Sequence, residues 1–198
     1  MTRFSINFDY LCPFARIANE MVIHAQEGGA GHEVTFRGFS LSQVHTEDGE
    51  PEVWRTEPRP SGVTALEWGI AVRDDFPEAF PAAHLAIFSA RHDQGRDIND
   101  LEVLREAVAS AGLDPDEVAK AVAGGQPAKT LAEEHTRSVD EQRAFGVPTF
   151  FLDDRAVFIR LMRRKTDPAE ARATLDRLLD VLTGWTELNE LKATRIPR

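Results

Sequence analysis

The sequence is poor in cysteine: Cys12 is the only one among 198 residues. One cysteine cannot form an intrachain disulfide, so redox chemistry at this residue requires a sulfur atom from a second molecule. The chain also lacks any run of about 18 apolar residues, the length that a membrane-spanning helix needs. Its hydrophobic content of 42% is enough for one globular core, or for one core with an inserted subdomain.

Basic residues are fewer than acidic ones. The chain has 23 Lys and Arg against 33 Asp and Glu, which gives a formal net charge of -10 at pH 7. This balance argues against general attraction to nucleic acids or to anionic membranes. The one basic cluster spans residues 160–165. Two interpretations stay open: it is a solvated turn after a strand, or it binds a small anionic ligand. The first residues form no long apolar stretch, which predicts a cytoplasmic location.

The motifs of several site classes are missing as well. With no second cysteine and no His-x3-His pair, the ligand spacing of a zinc site is absent. The glycine-rich run at residues 28–31 follows a predicted helix instead of opening one, so it is not placed as a phosphate-binding loop. No Gly-x-Ser-x-Gly elbow occurs. The sequence therefore predicts neither a metal site nor a tightly bound cofactor.

The hydrophobic pattern predicts two blocks of mixed α/β structure. Apolar residues alternate in residues 3–8 and are typical of a strand again in 32–39, and helical spacing runs from residue 13 to about residue 26 between them. After residue 145, two short apolar runs separated by a polar turn predict an antiparallel hairpin. A final helix is predicted over residues 167–182. The order is β-α-β, then a long insert, then β-β-α.

The insert between the two blocks is predicted to be helical apart from its start. Residues 43–63 are polar and proline-rich, which predicts a loop. Few folds tolerate so long an insert between two such blocks, so the order of elements is specific. Five helices are predicted in the insert, at residues 65–76, 81–94, 97–110, 114–123 and 127–145.

The single cysteine stands where the first strand gives way to the first helix. Pro13 suits the first helical position because it lacks an amide hydrogen and has a helical φ, so Cys12 is the predicted N-cap. Unpaired amides and the helix dipole favour an anion there, which predicts a lowered thiol pKa and a reactive thiolate. The alternative is that Cys12 is a small buried hydrophobic residue, as most lone cysteines are.

A second motif lies at the entrance to the hairpin, in the run FGVPTF at residues 145–150. Pro148 stands directly before a strand, and this position predicts a cis Val147–Pro148 peptide bond in a tight turn. Such a proline would leave the backbone of Val147 free to pair with an extended ligand by strand addition. The alternative is an ordinary trans proline that opens a strand.

Three features together resemble the DsbA-like branch of the thioredoxin superfamily: the run CPF at residues 12–14, the helical insert, and the run GVPTF at residues 146–150. The resemblance implies an α/β fold of the thioredoxin-like type with a large all-helical insertion. The family motif is Cys-Pro-x-Cys, and this chain has Ala15 at the last position. Without the second cysteine, an intramolecular disulfide cycle is not available to it.

The resemblance also implies a division of the chain. Residues 1–40 and 146–184 are expected to form the thioredoxin-like domain, residues 41–145 the helical insertion subdomain, and residues 185–198 a C-terminal tail.

The departure at Ala15 leaves two chemistries open. The run CPFA is similar to the Ser-Pro-Tyr-Ala type of motif in kappa-class glutathione transferases and 2-hydroxychromene-2-carboxylate isomerases, whose reactive sulfur belongs to bound glutathione. Our first hypothesis is a thiol-disulfide oxidoreductase in which Cys12 is the nucleophile and a low-molecular-weight thiol, glutathione or a mycothiol-like thiol, is the co-substrate. The alternatives are a transferase or isomerase that activates a bound thiol, and a non-catalytic binding module.

The resemblance assigns site residues to the first hypothesis. Cys12 is the predicted catalytic residue. The expected partner is a small thiol or disulfide, with no nucleic acid and no membrane, and a homodimer stays open. The predicted substrate-binding residues are Pro13, Phe14, Val147, Pro148 and, on the second insert helix, His84.

Overall fold

The computed structural model describes residues 1–47, 49–153 and 155–195. Within them, four strands form one mixed sheet in the order β2-β1-β3-β4. β1 pairs parallel with β2 and antiparallel with β3, and β3 pairs antiparallel with β4 as the predicted hairpin. The strands are β1 (Arg3–Phe8), β2 (Glu33–Gly38), β3 (Thr149–Leu152) and β4 (Arg155–Phe158).

Eight α-helices lie in the described residues. α1 follows β1, packs against α8 and also contacts α4. Helices α3 to α7 are the five predicted insert helices, so the element order confirms the predicted fold class. The bounds are α1 (Pro13–Glu27), α2 (Leu41–Val44), α3 (Val63–Asp75), α4 (Phe80–His92), α5 (Leu101–Ser110), α6 (Pro115–Ala123), α7 (Gln126–Thr136) and α8 (Pro168–Gly184).

Two parts of the insert differ from the prediction. The helix predicted at residues 127–145 ends at Thr136, and a π-helical turn over Arg137–Glu141 follows it. The loop predicted at residues 43–63 contains α2 at its start and a 3-10 turn over Val53–Arg55. Such short elements contain too few residues to show a helical periodicity in the sequence. Of the predicted tail, residues 196–198 lie outside the described part of the chain.

One hydrophobic core connects the sheet with the insert helices. Phe8 at the end of β1 and Phe36 on β2 both contact the rings of Phe80 and His84 on α4. Aromatic pairs of this kind add about 0.5–1.5 kcal/mol each beyond the area that they bury. The end of β1 is therefore fixed against the insert, and with it the segment that leads to Cys12. No helix in the described ranges has the length and apolar composition needed to cross a bilayer.

Candidate active site

Cys12 is the N-cap of α1, as predicted. Its backbone is extended, with φ -92° and ψ 117°, and Pro13 lies in the first turn. The sulfur accepts a hydrogen bond from the amide of Ala15 at 3.4 Å. Cys12 is partly buried, while Pro13 beside it is exposed. The cysteine is therefore not a core residue, and its sulfur lies at the helix end that carries unpaired amides.

The turn before β3 contacts the thiol directly. The Val147–Pro148 peptide bond is cis, which confirms the prediction. The thiol of Cys12 donates a hydrogen bond to the carbonyl oxygen of Val147 at 3.5 Å. In the described part of the chain, no hydrogen bond from the Val147 amide is present. The fold thus brings the two sequence motifs, 135 residues apart, into contact.

Asn7 on β1 holds this turn in place. Its side chain donates to the carbonyl oxygen of Gly146 at 3.1 Å and accepts from the amide of Thr149 at 2.6 Å. The Thr149 hydroxyl donates to the same Gly146 carbonyl at 2.8 Å. All of these groups are buried, and leaving one of them without a partner costs about 1–3 kcal/mol. Asn7 on β1 therefore fixes the turn that carries the Val147 carbonyl, the acceptor of the Cys12 thiol.

The charge balance at the thiol differs from the prediction. Burial raises the pKa of the Cys12 thiol, and the amides of Ala15 and Phe14 lower it by less. The helix N-terminus acts in the predicted direction, but the loss of water around the sulfur outweighs it. The thiol is therefore mostly protonated at neutral pH, the state in which it can donate to the Val147 carbonyl.

Asp9 is a buried carboxyl group close to Cys12 that the sequence analysis did not single out. It is 1% exposed and accepts hydrogen bonds from the amides of Leu11 at 2.8 Å and Leu41 at 2.7 Å. Burial raises the pKa of Asp9 to about 6, although both amides act to lower it. The charge of Asp9 also raises the pKa of the Cys12 thiol. Asp9 therefore joins the cysteine-bearing segment to α2 and influences the sulfur.

Phe14, predicted to bind substrate, stacks against Arg160. The guanidinium carbon of Arg160 lies 4.5 Å from the centroid of the Phe14 ring and 5.8 Å from that of Phe158. Phe158 in turn contacts Phe145, which is 71% exposed, with the ring centroids 5.2 Å apart. Together, these rings and the guanidinium form a surface that begins next to Cys12.

This surface continues into a cavity of about 900 Å³. The cavity lies between β4 and residues 186–193, and Phe145, Phe158 and Arg160 form part of its wall. Its volume lies within the range of small-molecule sites, about 300–1,000 Å³. A second cavity of about 480 Å³ lies between the 3-10 turn and α7, away from every residue of the cysteine site.

Four charged side chains connect α1, α4 and the segment after β4. Arg16, one residue after Ala15, binds Glu20 at 3.2 Å and Asp93 at 2.8 Å. Arg164 binds the same Glu20 through two nitrogens, at 2.6 and 2.7 Å. Arg16 and Glu20 are almost completely buried, at 5% and 3% exposed. Only the Arg16–Glu20 spacing of four residues was visible in the sequence, because the other partners are distant along the chain.

His84 does not lie on the surface of the site. Its ring is 0% exposed and accepts a hydrogen bond from the Tyr10 hydroxyl at 2.8 Å. Since the Asn19 amide nitrogen donates to backbone carbonyls, the Asn19 oxygen accepts from the other ring nitrogen of His84 at 3.3 Å. Burial lowers the pKa of His84 to about 3, so the ring is neutral. This placement corrects the expectation of a substrate contact, because the ring has no surface that a substrate could touch.

The described residues contain no group of three or more His, Cys, Asp or Glu side chains that could hold a metal ion. The site offers the sulfur of Cys12, the backbone of Val147 and the guanidinium of Arg160 to a ligand. Such a set can form a disulfide with an incoming sulfur or hold a small thiol.

Comparison with known proteins identifies the fold. Residues 77–163 match the family model of the DSBA-like thioredoxin domain, which covers helices α4 to α7 and the hairpin. The structure has the DsbA-like thioredoxin fold. The matched segment includes the turn with Pro148, and it does not include Cys12. No curated protein matches the sequence.

Several solved structures share this fold. Cytosolic disulfide reductase DsbM from Pseudomonas aeruginosa, solved with GSH, is 21% identical with a TM-score of 0.63, over 89% of this chain and 98% of that one. A probable DsbA oxidoreductase from Streptomyces coelicolor is 20% identical with a TM-score of 0.60, over 98% and 94%. A putative protein disulfide isomerase from Nitrosomonas europaea is 16% identical with a TM-score of 0.62, over 90% and 97%. At these identities the likeness establishes the fold.

Proposed function

We propose that the protein is a thiol-disulfide oxidoreductase that uses Cys12 by a monothiol route, with a low-molecular-weight thiol as co-substrate. The observation that carries this proposal is the 3.5 Å hydrogen bond from the Cys12 thiol to the carbonyl of Val147. It joins a partly exposed sulfur to the backbone edge that precedes a cis proline, in a chain with the DsbA-like fold. DsbM, which has the same fold, is described as a cytosolic disulfide reductase with GSH, and this supports a cytoplasmic protein and a thiol such as glutathione or a mycothiol-like one.

The reaction has two exchange steps at Cys12. In the first, the Cys12 sulfur loses its proton to water and attacks one sulfur of the substrate disulfide. A bond forms between these two sulfurs while the substrate S–S bond breaks, and the other substrate sulfur leaves as a thiolate that takes up a proton. In the second, a small thiolate attacks the substrate sulfur of the mixed disulfide, and Cys12 leaves as a thiolate. After these two steps, one substrate sulfur is a free thiol and the other is in a mixed disulfide with the small thiol. A second small thiolate attacks the small-thiol sulfur of this mixed disulfide and releases the second substrate thiol, so two small thiols supply the two electrons of the complete reduction and become a disulfide.

The residues around Cys12 have distinct tasks in this route. Pro13 fixes the first turn, so the sulfur stays at the helix end. The ring of Phe14 supplies an apolar wall for the substrate. The backbone of Val147 can pair with an extended part of the substrate, and Pro148 shapes that edge. Since the thiol is mostly protonated at neutral pH, the first step is expected to accelerate as the pH rises towards the thiol pKa.

A second candidate function is favoured by the same protonation state. A protonated Cys12 can donate a hydrogen bond to the thiolate of a bound small thiol, as it now donates to Val147. The protein would then be a transferase or isomerase of the kappa-class type, in which the bound thiol reacts and Cys12 stabilises it. The two candidates differ in whether Cys12 forms a covalent bond.

The variants Cys12→Ser and Cys12→Ala separate the two candidates. The assay is the glutathione-dependent reduction of bis(2-hydroxyethyl) disulfide, with the uncatalysed rate subtracted. We expect both variants to lose all activity, because a hydroxyl does not form the mixed disulfide. Full activity in both variants would contradict the proposal. Activity that survives in Cys12→Ser and is lost in Cys12→Ala would replace it with the second candidate, since serine still donates a hydrogen bond.

A further inference from the structure

The basic cluster at residues 160–165 is largely bound to acidic partners. Arg164 is bound to Glu20 by two hydrogen bonds, and Lys165 forms an ion pair with Glu170 at 3.1 Å. Arg160 is different. It is exposed, and none of the ion pairs of the described residues includes it. Its contacts are the two aromatic faces of Phe14 and Phe158.

Arg160 is nevertheless held in a definite position. The residue before it, Ile159, donates its amide to the carbonyl of Pro148 at 3.1 Å, which ties this segment to the cis-proline turn. Four residues later, Arg164 is bound to the buried carboxylate of Glu20 on α1. Between these anchors, the guanidinium rests on the ring of Phe14. Stacking of this kind leaves the edge of the guanidinium, with its N–H donors, available for a planar carboxylate.

The guanidinium of Arg160 lies beside the cysteine site. The Phe14 ring that it covers lies two residues after Cys12, and the charge of Arg160 acts on the thiol. Arg160 also lines the 900 Å³ cavity beside β4. A sulfur compound that reaches Cys12 from this cavity passes the guanidinium. Arg160 shares the cavity wall with Arg155, Lys192, Glu187 and Glu190, and among these it is the side chain that also covers the Phe14 ring.

We infer that Arg160 is a specificity-determining residue that selects small thiols and disulfides carrying a carboxylate for reaction at Cys12. This inference rests on the proposed function and names its substrate class. The carboxylate would bind the guanidinium edge while the sulfur lies at Cys12, so the two groups recognise one ligand at both ends. Neutral and cationic disulfides have no carboxylate that the guanidinium edge could bind.

Three symmetric disulfides test the inference: 3,3′-dithiodipropionate (anionic), bis(2-hydroxyethyl) disulfide (neutral) and cystamine (cationic). The rate constant for mixed-disulfide formation at Cys12 is measured by intact-protein mass at one pH and ionic strength. In Arg160→Gln we expect the ratio of the anionic to the neutral rate to fall about fivefold, and the cationic rate to rise relative to the neutral one. In Arg160→Lys we expect an intermediate ratio, because the charge stays and the planar fork is lost.

The ratio is the decisive quantity, because losing a cation near the thiol slows all three disulfides through the thiol itself. Equal slowing of all three in Arg160→Gln would overturn the inference. The matched control is Arg177→Gln, an exposed arginine on α8, which removes the same charge elsewhere. An equal change of the ratio in this control would also overturn it, since the effect would then belong to net charge.

Failure of the proposed function has a separate signature. If wild-type Cys12 fails to react with the neutral disulfide above the rate of a free thiol, the exchange chemistry is wrong. Binding of the three disulfides to the unreactive variant Cys12→Ala then tests the role of Arg160. There, calorimetric titration with the three disulfides should show the anionic one binding most tightly, and adding Arg160→Gln should remove the preference. No preference in Cys12→Ala would overturn the inference.

Discussion

The helical insert and the thioredoxin-like part of the molecule use their polar side chains differently. In the insert, His84 and His135 are buried, and each accepts a hydrogen bond from a protein group, the Tyr10 hydroxyl or the amide of Ser40. Burial lowers their pKa values, to about 3 for His84 and about 4 for His135. These side chains have no surface left for a ligand, so they serve the stability of the fold.

In the thioredoxin-like part, two groups near α1 retain binding capacity at the surface. The thiol of Cys12 has weak, long hydrogen bonds of 3.4 and 3.5 Å, and the guanidinium of Arg160 rests on aromatic rings. A new sulfur or a carboxylate can therefore form a bond there without breaking a strong existing one. Residue type alone therefore does not mark the site: a histidine suggests chemistry, yet here His84 packs in the core.

The largest expected effect concerns the insert side of this comparison. His84→Leu leaves the Tyr10 hydroxyl and the Asn19 oxygen without their partner. Since each buried group left unsatisfied costs about 1–3 kcal/mol, we expect the free energy of unfolding to fall by about 4 kcal/mol. Urea denaturation measures this change. The exposed control His45→Leu should change stability by less than about 0.5 kcal/mol.

The same variant tests whether His84 takes part in chemistry. The rate of Cys12 alkylation per folded molecule should stay within about twofold of wild type in His84→Leu, since the ring does not reach the solvent. A variant of unchanged stability that has lost most of its Cys12 reactivity would break the comparison, because His84 would then act on the site and not on the fold.

A smaller effect is expected from Asp9, which belongs to the thioredoxin-like part and accepts a hydrogen bond from Leu41 of the insert. Burial raises its folded-state pKa to about 6 from 3.8, so the folded protein binds more protons than the unfolded chain between these pH values. The stability that Asp9 contributes is therefore full below pH 3.8 and is lost as the pH rises through 6, by about 3 kcal/mol in total. His84 and His135 titrate in the opposite direction over the same range, so a variant is needed to isolate Asp9.

Asp9→Asn is that variant, because asparagine does not titrate. The difference in unfolding free energy, variant minus wild type, should become more positive from pH 4 to pH 7. A difference that is independent of pH would show that Asp9 is not the titrating group. The variant should also lower the pKa of the Cys12 thiol, since the charge of Asp9 raises it, and the pH dependence of alkylation measures this shift.

The sequence predicted the parts of this account that depend on local patterns. The order of elements and the runs at residues 12–14 and 146–150 predicted the fold. Pro13 predicted that Cys12 is the N-cap, and the position of Pro148 before β3 predicted the cis peptide bond. The direction of the Cys12 pKa could not be predicted, because it depends on burial by distant segments. The burial of His84 was hidden for the same reason: helical spacing places it on a face of α4 and does not tell which neighbours cover that face.

The pairing of charged side chains also could not be predicted from the sequence. Arg160, Arg163, Arg164 and Lys165 belong to one basic run, and nothing in their order distinguishes the arginine bound to Glu20 from the one on Phe14. That distinction arises from contacts between the segment after β4 and α1. The role of a charged residue on the surface depends on such contacts between distant segments.

The proposed route requires Cys12 to form a mixed disulfide during turnover. The most direct test is rapid quenching with acid during the glutathione-dependent reduction of bis(2-hydroxyethyl) disulfide, followed by intact-protein mass spectrometry. We predict an adduct on Cys12 that appears in the first turnover and is released by glutathione at least as fast as the steady-state rate. Steady turnover without any adduct, or with an adduct released more slowly than turnover, would contradict the account.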